Sequence, residues 1–218
     1  MTSPMDHDPH VAGSAAPADT PVVITRRKID SVLVAFGALA TLVFLVAGIL
    51  LMWGSSFADD YVGDELSSQN ISFPPAEALE GEGRGDLAKY GGEVVDTGKE
   101  AEAYASYIDG HLENIAGGMT YAELGGPERE ARNALAAAAD AGADQDALDV
   151  LQAEADAISG QRDSLFRGET LRGLLLSAYA WSTVGQIAGY AAIGAFIAAV
   201  AMAILTVLGV RHLTRATH

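Results

Sequence analysis

The sequence predicts an all-α protein in which two antiparallel transmembrane helices carry a small helical extracytoplasmic domain, with helices continuous with both spans. Three observations support this fold class. Two long stretches, 32–53 and 173–210, contain no charged residue. The acidic residues are concentrated between these two stretches. No alternating pattern of useful length, as a half-buried strand would require, occurs along the chain.

The second uncharged stretch is too long to lie entirely in lipid. As a helix, residues 173–210 would reach ~57 Å, nearly twice the ~30 Å hydrocarbon core of a bilayer. We therefore place residues 187–210 in the membrane and expect residues 173–186 to stand at its surface and pack on protein. The first stretch is 22 residues long, enough for one span. A cleaved signal peptide is the alternative for it, but its length favours an uncleaved anchor.

The chain is thus divided into five predicted segments. They are a disordered cytoplasmic tail (1–28), transmembrane helix 1 (29–53), an acidic helical extracytoplasmic domain (54–186), transmembrane helix 2 (187–210) and a second cytoplasmic tail (211–218).

The distribution of charge predicts both the orientation and the class of partner. Residues 54–186 hold 25 of the 29 acidic residues and 8 of the 13 basic ones, a net charge of −17. Basic residues flank the spans on their other sides, at 26–28 and at Arg211 and Arg215, so both termini should be cytoplasmic in a plasma membrane. Strong negative charge argues against nucleic acid as a partner. The absence of cysteine excludes disulfides and thiolate metal sites.

Several local patterns predict the helices of the extracytoplasmic domain. The first span should continue as an amphipathic helix through 54–69, until the paired prolines Pro74 and Pro75 stop it. Thr97 and Glu100 have the spacing of a capping box at the start of another helix, which the two glycines after Ala116 should end. Two alanine-rich helices are predicted on either side of Gly142, over 128–141 and 144–159. A separate final helix is expected from about residue 161.

The second span carries a pattern of small residues that is typical of helix packing in membranes. Gly185 and Gly189 have the GxxxG spacing, and small residues let two helix backbones approach closely. Alanines at intervals of four continue this predicted helix-packing face: Ala191, Ala195, Ala199 and Ala203. The face could pack against the chain's own first span, or it could form a homodimer or bind another envelope membrane protein. Trp53, Trp181 and Tyr190 are predicted to lie at the membrane interface, in contact with the lipid bilayer.

No catalytic, cofactor-binding or metal-binding residues are predicted. The uncharged stretches 32–53 and 187–210 offer no ionisable relay group, which excludes a proton relay within them. His111 is the single histidine of the extracytoplasmic segment, and a ligand-binding or enzymatic pocket near it, with Tyr104 and Tyr107, is the alternative to a non-enzymatic role. The leading prediction is an integral membrane protein of the bacterial cell envelope with an interaction or scaffolding role.

Three motifs give the chain a resemblance to a family of uncharacterised actinobacterial membrane proteins with two spans. The motifs are FPPAEAL at 73–79, KYGG at 89–92 and LFRGETLRGLLL at 165–176. Members of that family often carry the label of an aromatic ring-opening dioxygenase subunit. Iron-dependent extradiol dioxygenases hold their metal with two histidines and a carboxylate, whereas the predicted extracytoplasmic domain contains only His111. The resemblance therefore implies the topology and no activity.

Overall fold

The structure, a computed structural model, describes residues 26–215, and the predicted tail residues 1–25 and the last three residues lie outside this range. Its elements are α1 (Arg26–Ser68), α2 (Ala76–Gly81), a 3-10 helix (Gly85–Tyr90), α3 (Gly98–Ile115), α4 (Gly125–Asp140) and α5 (Gln145–Arg215). Within residues 26–215, the extended backbone pairs only in one isolated antiparallel bridge, between Ser72 and Val94. The predicted all-α fold class is confirmed.

Helices α1 and α5 are both long and apolar enough to cross a membrane. Within the described residues, the chain forms two compact units, residues 26–41 with 200–215 and residues 42–199. In the first unit, the two helices meet where Gly37 faces Thr206 and Val34 faces Gly209. Higher residue numbers on α1 thus face lower numbers on α5, so the two helices are antiparallel, as predicted.

The second unit repeats the antiparallel arrangement. Gly48 of α1 faces Phe196 of α5, and further along the pair Ala58 faces Gly185. The predicted continuation of the first span is confirmed, because α1 runs without a break to Ser68. The chain then turns at Asn70, whose φ of 55° lies in the left-handed region that asparagine tolerates better than most residues.

Two apolar clusters hold the helical domain against α1 and α5. The larger consists of buried residues from α1, α3, α5 and the segments that precede α2 and α3. Its members are Val62, Leu66, Phe73, Val95, Ala101, Ala105 and Leu175. The smaller one joins the end of α3 to α5 through Leu112, Ala116, Leu124 and Leu165.

The predicted capping box at the start of α3 is confirmed. The Thr97 hydroxyl accepts a hydrogen bond from the backbone N–H of Glu100 at 3.3 Å, and the Glu100 carboxylate accepts one from the backbone N–H of Thr97 at 2.9 Å. At the other end, Gly117 and Gly118 have φ values of 60° and 84°, which terminate the helix as expected.

The prediction of a separate final helix from about residue 161 is wrong. Helix α5 begins at Gln145 and continues to Arg215, through Gly160. An isolated glycine costs a helix only about 1 kcal/mol relative to alanine, and neither proline nor a left-handed residue interrupts this one. The turn at Gly142 before it, with φ of 70°, agrees with the prediction.

Candidate interaction surfaces

The neighbourhood of His111 is a cluster of tilted and edge-on aromatic rings on α3. Its ring lies edge-on to Tyr107 with centroids 4.5 Å apart, and Tyr107 lies 5.6 Å from Tyr104. The His111 Nε2 is 3.8 Å from a Glu82 carboxylate oxygen. Burial raises the pKa of Tyr107, and a hydrogen bond to Glu82 raises it further, so this phenol stays protonated at neutral pH. The Tyr107 phenol is therefore a hydrogen-bond donor toward Glu82.

The Arg84 side chain links the start of the 3-10 helix to α3 through Ser106. Its guanidinium donates to the Ser106 carbonyl at 2.7 Å and to the Ser106 hydroxyl at 2.9 Å, and it forms an ion pair with Asp86 at 3.0 Å. The hydrogen bond from Arg84 lowers the pKa of the Asp86 carboxyl. Because the guanidinium is committed to these contacts, we assign it a structural role.

Five cavities of the described chain lie away from His111, since Tyr104, Tyr107 and His111 line none of the five. Across residues 26–215, no group of three or more His, Cys, Asp or Glu side chains is placed to hold a metal ion.

The predicted GxxxG glycines lie against the chain's own first helix. A Cβ built on Gly185 would approach the Ala58 Cβ to 2.9 Å, and one on Gly189 would approach the Ser55 hydroxyl to 2.9 Å. Ala192 and Ala199 are buried further along the helix. The intramolecular alternative therefore accounts for both glycines.

The four alanines of the predicted helix-packing face do not lie on one side of α5. Ala191 is exposed, Ala195 and Ala203 are half-buried, and Ala199 is buried. Each step of four residues advances about 40° around a helix of 3.6 residues per turn, so a strict interval of four leaves the contact face. The buried positions Gly185, Ala192 and Ala199 instead recur at intervals of seven, which is close to two full helical turns.

No protein-family model, curated protein or solved structure matches this chain. The resemblance to the actinobacterial two-span family stays a prediction.

An exposed apolar surface follows the outer portion of the helix pair. The rings of Trp53, Phe57 and Tyr61 stack at intervals of four along α1, with centroids 5.9 and 6.0 Å apart. The predicted interface residues are strongly exposed, at 68% for Trp53, 58% for Trp181 and 73% for Tyr190. This exposure fits lipid contact, and their depth in the membrane stays a prediction.

Between the two helices, this surface forms what we call the juxtamembrane groove. Its lower section is a cavity of ≈ 520 Å³, its upper section is a cavity of ≈ 360 Å³, and both are lined by Tyr61 and Trp181. The lower section adds Gly54, Phe57, Ala58, Val184, Gly185 and Ala188. The upper section adds mainly Val62, Leu66, Leu171, Leu174, Leu175 and Ala178, with Glu65, Gln69 and Ser177 as polar members.

The other prominent surface is an acidic hairpin, which we define as residues 125–160 of α4 and α5. It contains eight acidic and two basic residues, and its buried members are Gly125, Ala131 and Ala155. At its base, Glu128 of α4 accepts a hydrogen bond from Arg162 of α5 at 2.6 Å, and the Arg162 guanidinium stacks 4.2 Å above the Tyr121 ring.

Sequence reasoning missed both the groove and the Glu128–Arg162 pair. The apolar residues of α1 between 57 and 66 are predicted as the apolar side of an amphipathic helix, yet protein covers only some of them. The signal that could have revealed the groove was the uncharged length of α5, which exceeds one bilayer.

Proposed function

We propose that this protein is a two-span scaffold of the bacterial plasma membrane that holds the acidic hairpin outside the cell to bind another envelope protein. The observation that carries this proposal is the continuity of α5. The helix joins the second predicted span to the hairpin with no flexible linker. From Ile187 to Gln145, it extends about 63 Å along its axis.

The charge of the hairpin indicates the chemistry of the partner. Seven of its carboxylates are exposed: Glu130, Asp140, Asp144, Asp146, Asp149, Glu154 and Asp156. Surfaces of opposite charge are attracted at long range and orient on encounter, whereas two acidic surfaces repel each other. We therefore propose a partner with a basic surface. Self-association through this hairpin is disfavoured for the same reason.

The proposal includes the orientation of the chain in the membrane. With both termini cytoplasmic, as the basic residues beside the spans indicate, the hairpin faces the outside. The role needs no catalytic group. The alternative, a ligand-binding or enzymatic domain, would need a pocket at His111, and the cavities described above lie elsewhere.

Affinity capture in mild detergent tests the proposal. The full chain is compared with a D146N/D149N/D156N variant and with a matched E77Q/E80Q/E93Q control that removes three exposed charges elsewhere. We expect one envelope protein to be recovered with the wild type and the control, but not with the hairpin variant or in 1 M salt, where the screening length is only ~3 Å. Recovery of monomer alone, or equal recovery with the hairpin variant, would refute the role.

A further inference from the structure

The juxtamembrane groove extends above the membrane boundary that the sequence predicts. Leu171 lies 16 residues before Ile187 on α5, about 24 Å further out along the helix. Several of its lining side chains remain exposed, including Leu174 at 65% and Val184 at 55%. A continuous apolar surface of this kind at a height where water is expected indicates a bound partner.

The lower end of the groove is continuous with the surface that lipid covers. Gly54, Ala58, Gly185 and Ala188 line it near the outer ends of the predicted spans, where Gly185 packs on Ala58 and the short side chains leave room beside that contact. Phe57 and Trp181 form its walls. Since nothing charged lines the lower section, an apolar molecule can pass from the bilayer into the groove without leaving an apolar surrounding.

The negative charge of the extracytoplasmic segment favours an uncharged acyl chain over a second copy of this protein as the occupant of the groove. A second copy seated here would bring another segment of net charge −17 close to the first. An acyl chain carries no charge and meets no such repulsion. The single ionisable carboxylate in the lining is Glu65, in the upper section, where a polar headgroup or water can solvate it.

We propose that the juxtamembrane groove holds an acyl chain of an outer-leaflet lipid, raised above the bilayer surface between α1 and α5. The inference requires that these helices span the membrane, and it requires no protein partner. Failure of the partner capture described above would therefore leave it intact.

Quenching of tryptophan fluorescence by lipids with brominated acyl chains tests the proposal. Trp53 and Trp181 are the two tryptophans of the chain, so a W53F/W181F variant has no tryptophan fluorescence. In this tryptophan-free variant, the substitution L174W places a single indole in the groove. L176W is the matched control, because Leu176 is outside the groove lining yet about 3 Å nearer the span. I197W, exposed in the second span, and V150W, exposed in the hairpin, define full and absent quenching.

In vesicles of brominated phosphatidylcholine, we expect L174W to lose as much fluorescence as I197W, while L176W stays near V150W. L171W should behave like L174W, and it repeats the test if the L174W variant folds poorly. Equal quenching of L174W and L176W would overturn the proposal, because the bilayer itself would then reach this height. L174W as bright as V150W would also overturn it, and a disulfide-linked L174C dimer would then identify a second copy in the groove.

Discussion

At the scale of single residues, Glu128 is the side chain whose chemistry is best defined. It accepts hydrogen bonds from Arg162 on α5, from Arg132 one turn along α4, and from the Ser159 hydroxyl. These donors, Arg162 first, hold the pKa of its carboxyl below the ordinary value of 4.5. The lowered pKa means that the ionised carboxylate stabilises the folded state.

This stabilisation has a definite pH dependence. Because the native pKa is depressed, the contribution is complete above the ordinary glutamate value and is lost as the pH falls from about 4.5 through the native value. We expect E128Q to melt below the wild type at neutral pH and the two melting curves to converge in acid. Thermal unfolding of the detergent-solubilised chain, followed by circular dichroism, measures this difference.

The control for that experiment is E130Q, an exposed carboxylate on the same helix. It should leave the melting temperature close to that of the wild type at every pH. A gap between E128Q and the wild type that stays constant down to strongly acidic pH would contradict the assignment.

Thr97 offers a second prediction at this scale. Its hydroxyl satisfies a backbone N–H at the start of α3, so T97A should lower the free energy of unfolding by about 1 kcal/mol. The matched control is T170A, since the exposed Thr170 hydroxyl bonds to the Phe166 carbonyl within α5 and alanine is a better helix former. Denaturant unfolding of both variants measures the difference. Equal destabilisation would show that the cap contributes nothing specific.

At the scale of elements, local signals predicted the structure well where a single residue decides the backbone. The capping box at Thr97, the left-handed glycines after Ala116 and the turn at Gly142 act within one helical turn, and all three lie where the sequence indicates. Gly160 was misleading, because a glycine permits a break without requiring one. The helix continues there since the residues on both sides favour it and Leu165 and Ala155 are buried on the same helix.

The contact between α1 and α5 gives a prediction for the glycine face. G185L places a large side chain where even a Cβ would lie 2.9 Å from Ala58, so we expect a loss of about 1–3 kcal/mol in stability through overpacking. G194L is the control, because Gly194 has open space around its Cβ position on the same helix. Thermal stability in detergent provides the measurement.

An engineered disulfide checks the same contact directly, since the chain has no cysteine of its own. In an S55C/G189C variant, we expect an intramolecular disulfide to form, and G185L should reduce its yield. Formation of only intermolecular disulfides would contradict the intramolecular packing and favour the homodimer.

At the scale of the whole molecule, the sequence predicted the kind of architecture but not which surfaces meet. A pattern of small residues indicates that another backbone approaches, without specifying whose backbone it is, so packing between spans and dimerisation stayed open for Gly185 and Gly189. The juxtamembrane groove was not predicted for a related reason. Apolar periodicity marks residues that avoid water, and it reads the same for a face buried in protein and for one covered by lipid.

The orientation of the chain supplies the prediction on which the proposed role depends. Basic residues precede α1's apolar stretch and follow that of α5, so a fluorescent protein fused after His218 should fold and fluoresce in the cytoplasm. Alkaline phosphatase inserted at Gly142, in the exposed turn of the hairpin, should be active outside. The same phosphatase fused after His218 is the control and should be inactive. Phosphatase activity at the C-terminal fusion, or a mature chain that begins near Asp59, would remove the two-span anchor, because the acidic hairpin would then no longer stand outside the cell on two fixed helices.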